Sequence, residues 1–179
     1  MPADVVILSG PPASGKTTVA EIIASTAAEP TVHITTDQFY RAIRAGYIAP
    51  YLPEAQRQNE VVVDAIVAAV AVYARGGFDV VVDGIVGPWF LSPFRQMAAE
   101  AGFALSYIVL RPALDTSLER ARDRSGDDLK DPTAITGLHN AFRQLDELEA
   151  HVIDNTVLDA AGTAAQVRQA IASGAYRLV

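Results

Sequence analysis

Residues Gly10 to Thr17 read Gly-Pro-Pro-Ala-Ser-Gly-Lys-Thr and match G-x-x-x-x-G-K-[ST] at every fixed position. That pattern demands a strand before it and a helix after it. Val5, Val6, Ile7 and Leu8 supply a short β-branched run ahead of the loop, and Val19, Ile22, Ile23 and Ala27 recur behind it at helical spacing. Glycines let successive backbone N–H groups turn inward as a nest for phosphate oxygens, and the following helix adds its positive N-terminal end. The expected phosphate-binding set is Gly10, Pro12, Ala13, Ser14, Gly15, Lys16, Thr17 and Thr18. Within it Pro12, lacking an N–H, only shapes the loop. Lys16 is the mobile charge for β- and γ-phosphates, and the Thr17 hydroxyl is a ligand for Mg²⁺.

A chain of 179 residues, half of them hydrophobic, has enough material for one compact domain spanning 1–179. Its net charge of −7 opposes general nucleic-acid binding, which rewards surplus Lys and Arg. Without cysteine there are no disulfides, thiolate metal sites or thiol nucleophiles. Neither a targeting signal nor an apolar run of membrane-spanning length is evident, so a cytoplasmic location with no membrane partner is expected.

Thr31 to Thr36 reads as a second strand that delivers Asp37 at its carboxyl end. His33, inside it, reads as a packed or hydrogen-bonded structural histidine. Gln38 to Pro53 carries Phe39, Tyr40, Tyr47 and Tyr51 among arginines, glycine and prolines. It suits either a surface helix with aromatic anchors or the wall of an acceptor pocket. Glu54 to Arg75, more than twenty residues without internal Gly or Pro, reads as a largely buried helix; Arg57 and Asn59 in its first turns face either solvent partners or a substrate.

Phe78 to Asp83 is a third strand closing on an acidic residue. Asp83 there is either a turn former or a second Mg²⁺ ligand, and the loop at Gly10 favours the metal. Trp89, between Pro88 and Phe90, either packs inward or lines the pocket mouth. A helix from Ser92 or Pro93 to Ala101, a strand over Leu105 to Leu110 and a helix from Pro112 through Arg124 follow. Arg120 and Arg124 share one face of that last helix, with Arg122 offset; they either decorate the surface or close over phosphates. Ile135, Leu138, Phe142, Leu145 and Leu148 mark one amphipathic helix, Val152-Ile153 a fifth strand, and Thr163 the start of a final helix; helix one should end near Ala28. The alternation implies an α/β fold: a five-stranded parallel sheet with helices on both faces and the site at the strand carboxyl ends.

On these residues the chain resembles the small P-loop kinases: shikimate, gluconate and adenylate kinases, chloramphenicol phosphotransferase and the zeta-toxin kinases. Ile34-Thr-Thr-Asp37-Gln-Phe39 is most similar to the last two. The resemblance implies a three-layer, adenylate-kinase-like fold with a short lid at about 125–132. It also implies an ATP- and Mg²⁺-dependent kinase acting on a hydroxyl of a small molecule. Carried over, Asp37 lies by the acceptor hydroxyl as anchor or general base, while Arg120 and Arg124 are lid-side arginines contacting adenine or phosphates. The expected catalytic set is thus Lys16, Asp37, Arg120 and Arg124, with Asp37, Tyr40, Arg57 and Trp89 around the acceptor. A nucleotide-binding switch or ATPase acting through a protein partner is the alternative.

Overall fold

The structure, a computed structural model, describes residues 3–123 and 129–178. Five parallel strands form one sheet in the order β2-β3-β1-β4-β5. They are β1 (Asp4–Ser9), β2 (Thr31–Thr35), β3 (Asp79–Asp83), β4 (Ala104–Leu110) and the two-residue β5 (Val152–Ile153). Among the described residues seven α-helices accompany them: α1 (Lys16–Ser25), α2 (Thr36–Arg41), α3 (Gln56–Arg75), α4 (Leu91–Ala101), α5 (Leu114–Arg122), α6 (Pro132–Ala141) and α7 (Ala160–Ser173).

The period-two alternation of strand side chains divides the core into two layers. Val5, Ile7, Val80, Val82, Leu105 and Tyr107 pack on one face with Ile66 and Val70 of α3 and Phe94 of α4. Val6, Leu8, Val81, Ile108 and Leu110 pack on the other with Val19 and Ile23 of α1 and Val167 of α7. A third, small cluster joins Ala13 of the phosphate loop to Ala121 of α5 and Ile135 of α6. The expected three-layer α/β architecture is therefore the observed one.

Several expected boundaries move. The first helix stops at Ser25, not near Ala28, because the Thr26 hydroxyl and Arg168 of α7 both bond the Ile22 carbonyl. Thr36 leaves β2 and opens α2. α3 is amphipathic instead of largely buried: Asn59, Val62, Val63, Ile66 and Val70 face inward, while Val61, Val72 and Tyr73 are exposed. α4 and α7 begin slightly earlier than expected, α7 at Ala160, where the Asp159 side chain accepts the Gly162 N–H at 2.7 Å. α5 starts two residues after Pro112, since Thr156 Oγ1 accepts the Ala113 N–H and His139 Nε2 contacts the Pro112 carbonyl.

The largest departure is the helix expected from Ile135 through Leu148. It ends at Ala141, and a six-residue 3-10 segment runs from Asp146 to His151. Arg111, at the end of β4, donates to the Phe142 carbonyl at 2.8 Å and pairs with Glu149, which holds the chain in this turn. Asp146 takes a left-handed φ of 49° there.

Gly84 closes β3 against α2. A Cβ at this position would stand 1.9 Å from Thr36 Oγ1, and Thr36 is itself buried. Gly84→Ala should therefore destabilise the protein by about 1–3 kcal/mol through overpacking. Chemical denaturation would detect this as a lower midpoint, and an unchanged midpoint would contradict the packing described.

Candidate active site

The carboxyl ends of β1, β2 and β3 are adjacent, so the phosphate loop, the start of α2 and Asp83 converge. Gly10 begins the loop at φ 139°, and a Cβ there would lie 2.1 Å from the Leu110 carbonyl oxygen. Only glycine lets the loop pass this close to the end of β4. Ala13 also holds a left-handed φ of 59°, its methyl buried among residues of α5 and α6. Gly15, at φ 87°, caps α1, and neither a side-chain cap nor an acidic first-turn residue occupies that end. The first-turn N–H groups, including that of Thr18, thus face the loop without a side-chain competitor.

Lys16 is buried, and its Nζ donates to the Pro11 carbonyl at 2.7 Å and the Ser14 hydroxyl at 3.3 Å. The ammonium is folded along the loop it serves. Thr17 Oγ1 donates to Asp83 Oδ2 at 2.6 Å, so the two expected Mg²⁺ ligands are already side by side. Asp83 Oδ1 lies 2.6 Å from His33 Nε2, with Thr35 Oγ1 3.5 Å from the same nitrogen. Because a carboxylate can only accept, Nε2 carries the proton. Burial pushes the Asp83 carboxyl up, but the hydrogen bonds from His33 and Thr17 outweigh it and hold the group below the ordinary carboxylate range. It is ionised at neutral pH.

This donor set fits Mg²⁺. The ion prefers hard oxygens and keeps waters or phosphate oxygens, so it needs one or two protein ligands instead of a cage.

Asp37 sits exposed in the first turn of α2. Tyr40 is pushed up to about 12, by burial first and then by the Asp37 and Tyr47 charges; Tyr47 is raised by burial, Asp37 and Tyr51. One carboxylate and neighbouring phenols therefore share this side of the site, and Tyr40 stays neutral. Trp89 is half exposed beyond β3, its ring 5.8 Å from that of Phe142. Arg57 lines a cavity of about 470 Å³ with Phe39, Ile43, Ile48 and Val61.

Arg120 Nη2 donates to the carbonyls of Asn155 at 3.1 Å and Leu158 at 3.5 Å. It reaches the loop after β5, not the phosphate loop itself. Arg122 is exposed, and Arg124, with 125–128 of the expected lid, lies outside the described residues. His139 and His151 contact the Pro112 and Tyr107 carbonyls, as structural histidines do.

Two partnerships are not visible in the sequence. His33, expected as a packed or hydrogen-bonded structural histidine, is hydrogen-bonded, and its partner is Asp83. Asn155, now bonded to Ser14, had only its position after an apolar strand as a signal. Ser9, Val86 and Tyr107 add a buried brace: Ser9 Oγ and the Tyr107 hydroxyl both donate to the Val86 carbonyl, at 2.7 and 2.8 Å. It fixes the loop that follows Asp83.

The fold is shared widely among solved structures. The tunicamycin resistance protein of Deinococcus radiodurans superposes with a TM-score of 0.69 at 16% identity, covering 94% of this chain and 95% of that one. A sugar kinase from Janibacter sp. gives 0.63 at 15% identity, with 96% and 94% covered. A gluconokinase from Sinorhizobium meliloti gives 0.56 at 18% identity, with 97% and 91% covered. No curated protein sequence matches the chain. Among the described residues no helix is long and apolar enough to cross a membrane. A family model described as an AAA domain matches residues 5–148, which contain the phosphate loop, Asp37, Asp83 and Arg120. The chain belongs to that family of P-loop proteins and has the fold of the small P-loop kinases.

Proposed function

We propose that the protein is an ATP- and Mg²⁺-dependent phosphotransferase that moves the γ-phosphoryl group to a hydroxyl of a small molecule. The observation that carries this reading is the 2.6 Å pairing of Thr17 with Asp83 at the foot of a complete phosphate loop, one strand away from Asp37. The sugar kinase and the gluconokinase among the structural neighbours support it as a class.

Phosphoryl transfer needs positioning and charge neutralisation more than covalent help from the protein. Backbone N–H groups from Ala13 to Thr17 hold phosphate oxygens. Lys16 leaves the Pro11 carbonyl to meet the β- and γ-phosphates. Thr17 and Asp83 hold Mg²⁺, which when bound offsets the negative charge of the phosphate oxygens. Asp37 takes the acceptor's proton as the acceptor oxygen bonds to phosphorus and the β–γ bridge breaks toward ADP. Tyr40 and Trp89 flank the acceptor, and Arg120 acts from the nucleotide side.

Release of ADP from ATP and Mg²⁺, with and without a panel of sugars, sugar acids, nucleosides, aminoglycosides and chloramphenicol-like compounds, tests the reading. Stimulation by at least one compound is expected. A basal rate that no compound changes would favour an ATPase working through a protein partner.

A further inference from the structure

Asn155 stands two residues beyond β5 and is 2% exposed. Its Nδ2 donates to the Ser14 carbonyl at 2.9 Å, across 141 residues of sequence. Its own carbonyl accepts from Arg120 of α5 at 3.1 Å. Its Oδ1 is buried with no hydrogen-bond partner among the described residues. An asparagine with an orphaned buried acceptor is a poor space filler. The donor half of this side chain is what the structure uses.

The consequence follows from peptide geometry. In a trans peptide the carbonyl of one residue and the N–H of the next point in opposite directions. Fixing the Ser14 carbonyl outward on Asn155 therefore aims the Gly15 N–H inward, toward the place where phosphate oxygens sit. The Ser14 hydroxyl also accepts from Lys16 Nζ at 3.3 Å, so the residue held by Asn155 supports the lysine as well. A continuous path of bonds then runs from Arg120 through Asn155 and Ser14 to Lys16.

We propose that Asn155 is a positioning residue that sets the phosphate loop in its binding conformation and ties it to helix α5. This rests on the nucleotide-site reading above. Asn155 acts on the phosphates through Ser14, and its effect is independent of the base.

Two variants of the full chain test it. Asn155→Asp keeps the shape but replaces the donor with an acceptor, and Asn155→Ala removes both. Binding of ADP and of tripolyphosphate, which has no base, is measured by calorimetry beside the melting temperature without ligand. Both variants should lose about tenfold affinity for both ligands, equivalent to about 1.4 kcal/mol. The unliganded melting temperature should move by no more than about 4 °C. In turnover, KM for ATP should rise while kcat at saturating ATP stays within about threefold, on the tenfold scale of one hydrogen bond. If the aspartate variant fails to fold, the alanine variant decides. Unchanged tripolyphosphate affinity, or failure of both variants to fold, would overturn the assignment. A wild-type chain that binds neither ligand would instead overturn the nucleotide-site reading itself.

Discussion

Lys16→Ala is expected to lower phosphotransfer by about a thousandfold or more while leaving the fold intact. The loss follows from where the charge sits: Nζ is bonded to the Pro11 carbonyl and the Ser14 hydroxyl, within the loop that receives the phosphates. No other described side chain is seated within that loop with a positive charge, and Arg120 is engaged by the loop after β5. The fold should survive because the two core layers of the sheet do not include Lys16. Circular dichroism and thermal melting would establish that, and coupled ADP detection would give the rate. Undiminished turnover in a folded variant would remove Lys16, and with it the loop, from the catalytic account.

Asp37→Asn should cost about 10²–10⁴ in transfer, the range of a lost general base, with ADP affinity kept within about twofold. The amide keeps the side chain's size but cannot take a proton. Asp37 is exposed on α2, outside the phosphate loop, so nucleotide binding has no reason to change. A second readout is independent of activity. Asp37 helps raise Tyr40 and Tyr47, so loss of its charge should let both phenols ionise at lower pH in a spectroscopic titration. Tyr40 should remain elevated, because burial is the larger cause. Turnover that survives with the phenols shifted would show that Asp37 faces the tyrosines but does not accept the proton.

The parts of this site legible in the sequence are those whose chemistry is local. The phosphate loop announces itself because eight consecutive residues carry the whole device, and Asp83 is found because an apolar strand ends on it. The Thr17–Asp83 bond then follows from two neighbouring strands, β1 and β3. The helix break after Ala141 was not legible. No glycine or proline marks it, and apolar spacing continues through Leu148; the break is made by Arg111 from a distant strand end. His33 and Asn155 escaped for the same reason. An isolated histidine in a strand shows its role only once β2 and β3 align Thr35 with Asp83 and put His33 on the same face. Asn155 matters only because the fold carries it back to Ser14. Arg57 shows the same limit: its place near the start of α3 does not reveal the cavity that it lines with Phe39 of α2.

The most direct test of the central claim is to follow the γ-phosphorus itself. In a single turnover with γ-³²P-labelled ATP, Mg²⁺ and the compound that best stimulates ADP release, the label should appear on the small acceptor, and Lys16→Ala and Asp37→Asn should both slow its transfer by about a hundredfold or more. Label found only in inorganic phosphate, whatever hydroxyl compound is present, would contradict a kinase and leave an ATPase in its place.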